Sequence, residues 1–421
     1  MPGFSTRRKR PFYGRLQPCH GLPARGAKLA ALFPLRRSSA SRFPPREAPL
    51  SQRGRPGQGR NRFPALGVRE MAKGKTYTPE RISFTDARTG VRLLQLTSFP
   101  TMSMSLSYYA MNFTPDSKTL IFLSQREPKR DAPWDLFRVD VDGLNLTQLT
   151  ESEGLGGFAL SPDGQWVYFH RGSVLWRVSM DNFEEEEIVG LDGIDHCGAG
   201  FVSPDGVYYF TQAYTPQGKT VLARYRTDGM EAVILREWEG KVRALHSCDP
   251  GGSGILTYEH RLLDYEGEEK GVFTTSYEFA HWTFLGRTGR LQGTALPPDR
   301  ALLHLGLGEE RPTYIAQGVY FWHSASTLDG EWIVADTNWP DEGLQLVHVP
   351  TGRYRPLCYA RSSQGHPQWT HPHPQFSPDG RYVLFTSDRT GIAQIYLAEV
   401  PDELRERIRS GQLTPKERLL F

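Results

Sequence analysis

One unit recurs along this chain: a strand-like run, a turn of the Ser-Pro-Asp-Gly type, then a second run of aromatic and β-branched residues. It reads FTPDSKTLIFLS from Phe113, LSPDGQWVYFH from Leu160, VSPDGVYYFTQ from Val202, TLDGEWIVADT from Thr327 and FSPDGRYVLFTS from Phe376. A degraded copy, SCDPGGSGILTYEH, starts at Ser247, and a weaker one lies around Leu285–Gln292. Counted from Pro115, the turn prolines Pro162, Pro204, Pro250 and Pro378 fall at separations of 47, 42, 46 and 128, the last wide enough for three units. Each unit adds a second hairpin, such as WDLFRVDVDGLNLTQLT at Trp134–Thr150. A period of about 40–50 residues holding four short strands is the pattern of a β-propeller blade.

Seven units fit between Tyr77 and Val400, so the expected fold is all-β, a seven-bladed β-propeller with TolB/WD-like repeats. The segment VRLLQLTS (Val91–Ser98) reads as a lone outer strand that completes the last blade and closes the ring. Closure removes the open sheet edges that would otherwise invite aggregation. The repeat overrides a length of 421 residues that would suggest two or three domains. Residues 71–421 are read as one domain, with PDELRERIRSGQLT as a short surface helix at its end.

The net charge of +3 conceals a split. Residues 1–70 carry 16 Lys+Arg against two acids, leaving 34 basic and 45 acidic residues in 71–421. An acidic body argues against nucleic acid as a partner. The first 70 residues show no sustained period and too little apolar content to fold alone, which predicts a disordered basic extension. An Arg- and Ser-rich transit peptide, a basic arm, and a segment outside the natural product are the three readings. The last is favoured because MAKGKTYTPERISF from Met71 begins a well-patterned protein. The apolar run Leu29–Leu35 is too short to span a membrane. The cysteines Cys19, Cys197, Cys248 and Cys358 stand at long, unrelated spacings, which reads as reduced thiols in a cytoplasmic protein.

Chemistry concentrates in GHPQWTHPHPQFSPDG, Gly365–Gly380. In an extended segment the side chains of His371 and His373 point the same way, and Pro372 and Pro374 stiffen the backbone around them. With Gln368 they form a neutral donor set that suits a borderline divalent cation such as manganese, iron or zinc. A polar loop with backbone-bonded histidines is the competing reading of an isolated His-x-His.

Three stretches resemble the oligogalacturonate lyases, seven-bladed propeller enzymes of polysaccharide lyase family 22. They are MAKGKTYTPERISFTDARTGVRLLQLTSFPT, NFTPDSKTLIFLS, and QWTHPHPQFSPDGRYVLFTSDRTGIAQIYLAEV, with Gln-x-x-His-Pro-His as the specific part. The resemblance spans about 71–400, firm at both ends and loose between. It implies a divalent metal, foremost Mn2+, held by His323, Gln368, His371 and His373, and a catalytic role for His281 in SYEFAHWTF. The remaining histidines His246, His260, His304, His348 and His366 are read as structural or exposed. The implied reaction is β-elimination on a small acidic oligosaccharide of the digalacturonate type, derived from pectin. Cation and imidazole would divide the labour, one stabilising charge on the uronate carboxylate and the other accepting the C5 proton.

The chain departs from that family at three places. Trp282 and Thr283 follow His281, Pro367 precedes Gln368, and YEHRLLDYEGEEK from Tyr258 replaces a stretch that supplies an arginine, with Arg261 nearby but not in a matching place. Arginine is the natural bidentate partner of a carboxylate. These losses keep a second reading open, a non-catalytic TolB-like propeller that binds a protein or glycan. A propeller gating a separate peptidase is disfavoured, because no Ser-His-Asp hydrolase pattern follows Val400.

Overall fold

The Pro-Asp-Gly turn recurs because its three residues divide one task. In the second copy Pro162 fixes φ, the Asp163 carboxylate accepts from the Ser161 hydroxyl and the Gln165 N–H, and Gly164 closes the turn with its N–H on Ser161 O at 2.9 Å. Gly164 sits at φ +73°, and a Cβ there would come within 2.7 Å of Pro115 in the neighbouring turn. Glycine is therefore required both by the backbone and by the nesting of adjacent blades. Ser203–Gly206, Thr327–Gly330 and Ser377–Gly380 repeat the arrangement.

The computed structural model describes residues 72–127, 132–151, 155–274, 277, 279–365 and 370–412. The basic extension and Gln368 lie outside the described residues. Seven sheets are formed, six of four strands and one of five, each with the turn motif or its degraded copy between its first two strands. The protein is an all-β, seven-bladed propeller, as the repeat predicts. Both weak copies hold: the Ser247 copy turns at Asp249–Gly254 in blade 4, and Leu285 N–H bonds Arg290 O across the turn of blade 5.

Blade 7 is where the ring closes. Its first three strands, Gln375–Phe376, Tyr382–Ser387 and Gln394–Glu399, come from the end of the chain. Arg92–Gln95 pairs antiparallel with the last of these, Leu93 opposite Ala398, as VRLLQLTS predicts. One strand more than expected is added, since Ile82–Thr85 pairs outside Arg92–Gln95 and makes this the five-stranded sheet. Leu93 is fully buried in a cluster with Val383, Phe385 and Tyr396. The terminal helix Asp402–Ser410 is also more than a surface element. Its Leu404 and Ile408 are buried in the same cluster beside Trp332. Cys197, Cys248 and Cys358 are free thiols.

Two predictions follow from packing. Leu93→Ala opens a cavity at the closing seam and should cost about 2–5 kcal/mol in chemical denaturation, whereas the exposed Ser83→Ala on the next strand should stay within about 0.5 kcal/mol. The second concerns acid. His170, 1 % exposed, is enclosed by the Tyr209 and Tyr225 rings of blade 3 at 5.2 and 5.0 Å. Burial pushes its pKa down to about 3. The folded chain keeps this imidazole neutral while the unfolded chain protonates it near pH 6.5. Its stabilisation is complete above pH 6.5 and is lost as pH falls from there toward 3. Between pH 7.5 and 5.0 the wild-type chain should lose about 2 kcal/mol from this group alone. His170→Leu should show that much less acid sensitivity in urea titrations.

Candidate metal and acid–base site

The first strands of the blades converge on the central channel, and in blades 2 to 6 each is interrupted by a β-bulge at the same level. The register shifts between Gly156 and Ala159, Cys197 and Gly200, Leu245 and Ser247, Ala280 and Thr283, and Phe321 and Ser324. A bulge re-aims a side chain that regular alternation would direct elsewhere. His246, His281 and His323 occupy this bulge in blades 4, 5 and 6. His281 takes a left-handed backbone there, φ +53°.

Blade 7 brings His371 and His373 to the same end by a different route from the one the sequence suggests. They do not alternate along an extended strand. His373 is left-handed, φ +45°, and the Pro372 carbonyl accepts from the Thr386 N–H at 2.9 Å. The two rings lie 5.8 Å apart. His323, His371 and His373 each offer a ligand atom, and these three atoms fall within 4.8 Å of one another. The fourth predicted ligand, Gln368, lies outside the described residues.

Hydrogen bonds set the imidazole tautomers. His371 Nε2 meets the Gly365 carbonyl at 3.1 Å, which places its proton there; its buried Nδ1 has no hydrogen-bond partner among the described residues. His323 Nδ1 meets Asp336 Oδ2 at 2.9 Å, while the His323 backbone N–H donates to Asp336 Oδ1 at 2.6 Å. His323 is fully buried and Asp336 is 1 % exposed. A carboxylate behind a ligating imidazole fixes ring orientation and raises its basicity. Burial raises the Asp336 carboxyl to about 7, partly offset by the backbone N–H of His323 and by nearby imidazoles. Three convergent imidazoles, one backed by a buried carboxyl, fit a divalent cation of the borderline class.

His281 stands beside this group, its ring 4.5 Å from that of His323 and 4.2 Å from Trp322. Burial pushes its pKa down to about 4, against the pull of Asp336 and with further push from His371 and Arg243. It is a neutral imidazole at pH 7, able to accept a proton. Below the histidines, Tyr108 packs 5.2 Å from His323 and 5.7 Å from His373, and Tyr109 packs 5.2 Å from His246. Asn112 holds this segment in place. Its side chain accepts from Leu106 N–H at 2.9 Å and donates to Ser107 O at 3.1 Å and Gln375 Oε1 at 2.7 Å. Beyond Tyr108 and Tyr109, toward the Pro-Asp-Gly turns, the channel continues as a chamber of about 310 Å³ lined by all seven blades.

Several contributors escaped the sequence reading. Asp336 had a usable signal: an acid inside WIVADT, in the strand after the turn, stands where Thr386 stands in the blade 7 copy, facing the core. Tyr108 had none, because only the closed ring brings it near the histidines, and Arg243, though three residues before His246, reaches His281 only across blades. His246, read as structural, packs against Tyr109 and Tyr258 at the edge of the site. Arg261 is turned away and occupied, paired with Glu259 and Glu269. The left-handed backbone at His373 is testable. His373→Val should be less stable than His373→Asn by about 1–3 kcal/mol in thermal denaturation, since asparagine tolerates this conformation and a β-branched residue does not.

A family model described as oligogalacturonate lyase matches residues 71–203. The oligogalacturonate lyase of Dickeya dadantii is 26 % identical over 405 residues, covering 79 % of this chain and 100 % of that protein. The oligogalacturonide lyase of Pectobacterium atrosepticum is 25 % identical, with 79 % and 100 % covered. Among solved structures, an oligogalacturonate lyase in complex with manganese superposes with a TM-score of 0.68 at 20 % identity, covering 80 % of this chain and 100 % of that one. An oligogalacturonate lyase from Vibrio parahaemolyticus gives 0.66, also at 20 % identity, with 79 % and 100 % covered. The chain shares its propeller with these structures, and its sequence makes it a divergent relative of the oligogalacturonate lyases.

Proposed function

We propose that this protein is a metal-assisted lyase that cleaves short oligogalacturonates, or closely related uronates, by β-elimination. The observation that carries the reading is the placement of three convergent imidazoles, His323, His371 and His373, against a neutral fourth, His281. The relatives named as oligogalacturonate lyases support the substrate class, and the manganese-bound one supports Mn2+ as the metal. Gln368 is proposed as a further ligand from its place in Gln-x-x-His-Pro-His. A divalent cation at this position supplies Lewis acidity to the uronate carboxylate.

The rest falls to the chain. His281 accepts the C5 proton, the C5–H electron pair becomes the C4=C5 double bond, and the C4–O bond breaks with its pair left on the departing oxygen, which water protonates. The lowered pKa of His281 keeps it in the accepting form at neutral pH. Asp336 holds His323 in one tautomer through the bond at Nδ1. Arg243, whose charge reaches both His281 and His246, makes the site attractive to an anion. The free cysteines fit a cytoplasmic setting. None of the chain's helices is long and apolar enough to cross a membrane, among the described residues.

A binding-only propeller remains the second reading, favoured by the occupation of Arg261 by two glutamates. Elemental analysis of the purified protein paired with an ultraviolet assay for unsaturated uronate decides between them. About one metal per chain and chelator-sensitive turnover of digalacturonate are expected. His281→Ala should lower turnover by about 10²–10⁴-fold with the metal still bound. Bound metal with no turnover on digalacturonate or a panel of other uronates would leave the binding reading standing.

A further inference from the structure

The mouth of the histidine end carries aromatic and cationic groups that the proposed reaction does not use. Trp322 precedes His323 in the chain, and its ring reaches His281 at 4.2 Å on one side and Tyr320 at 5.3 Å on the other. The Arg300 guanidinium stands over the Tyr320 ring, 6.0 Å from its centre. Arg300 belongs to the connection between the second and third strands of blade 5. Its carbonyl accepts from Gly318 N–H at 3.2 Å, which ties that connection to the lead-in of blade 6. Asn338 N–H donates to Tyr320 O at 2.8 Å, and the next residue, Trp339, is 84 % exposed. Arg300 is exposed and makes no ion pair among the described residues.

The Trp339 indole buries almost nothing within its own chain, and the guanidinium of Arg300 makes no ion pair among the described residues, so both are open to a ligand. His281, Trp322, Tyr320 and Arg300 follow one another at 4.2, 5.3 and 6.0 Å along blades 5 and 6, and Trp339 stands exposed one residue after Asn338, which is bonded to Tyr320. An oligouronate presents two features per unit: a C–H face that stacks on an aromatic ring, and a carboxylate. The metal and His281 account for one unit only, so a second unit and its charge need a place. Arginine offers a planar fork that pairs a carboxylate through two parallel hydrogen bonds.

We propose that Arg300, Tyr320, Trp322 and Trp339 form a second saccharide subsite, which takes the adjoining uronate ring on the aromatic faces and its carboxylate on Arg300. This assignment rests on the lyase reading, because it takes the first ring to lie at the three imidazoles. The subsite makes the ligand an oligomer: a single uronate would engage half of the available contacts. Its position on blades 5 and 6 also replaces, from a different part of the chain, the carboxylate-binding role that Arg261 does not fill.

The test is calorimetric titration of manganese-loaded full-length protein with galacturonate and with digalacturonate, in a His281→Ala background that stops turnover. The disaccharide should bind at least about tenfold more tightly than the monosaccharide. Arg300→Gln should remove most of that difference, and Trp339→Ala part of it, with the loss confined to the disaccharide. Equal affinity for the two sugars in the parent, or an unchanged ratio in Arg300→Gln, overturns the subsite and leaves the lyase reading intact. Failure of both sugars to bind while manganese does overturns the galacturonate lyase reading and the subsite with it.

Discussion

The antiparallel pairing of Arg92–Gln95 with Gln394–Glu399 is the contact on which the rest of this structure depends. It joins segments about 300 residues apart, with Leu93 opposite Ala398 and an ion pair between Arg92 and Glu399 at 2.9 Å. Without it the seventh sheet would end at an open edge, and the first strands of seven blades would not be held around one axis. The histidines come from blades 5, 6 and 7, and Tyr108 reaches them from blade 1, across the closing seam. Their mutual distances are therefore set by ring closure rather than by any local segment. The terminal helix reinforces the same seam by burying Leu404 and Ile408 against blades 6 and 7. Such long-range pairing costs loop entropy before it returns contact energy, which makes this a slow topology to complete.

Within the closed ring, the bulge in the first strand is the device that turns a scaffold residue into a site residue. The same irregularity holds glycines in blades 2 and 3 and histidines in blades 4, 5 and 6. Changing one residue at a fixed backbone feature thus changes what the channel presents, without disturbing the alternation that packs each blade. Blade 7 reaches the same end with a left-handed residue in place of a paired bulge. Behind these side chains, Asp336 is a buried acid that is satisfied by the backbone and imidazole N–H groups of His323 and by the backbone N–H of His373. Burying it is tolerable because those bonds replace the water it gives up.

The parts legible in the sequence are those written in local backbone chemistry. Ser161–Gly164 and its copies announce the blades because proline, aspartate and glycine each have a conformational reason to stand where they do. Even the degraded copies at Ser247 and Leu285 kept enough of that grammar to be placed. VRLLQLTS disclosed the closing strand, whereas ISFT (Ile82–Thr85) did not, since it alternates with only Phe84 half-buried and reads as an exposed edge. His371 and His373 were found by composition, although the reason given for their convergence was incomplete: spacing along the chain does not reveal a left-handed φ. Tyr108 and Arg300 carry no local mark at all. Their relation to the histidines exists only across blades, and a linear reading has no access to it.

The Tyr108–Asn112 segment gives the channel a floor, with imidazoles on one side and the chamber at the turn end on the other. A propeller with an unobstructed bore can pass a polymer from face to face, whereas here, among the described residues, this segment stands between the imidazoles and the chamber. Whatever reaches the histidines must depart past the same rim by which it came, so arriving and departing molecules compete for one doorway.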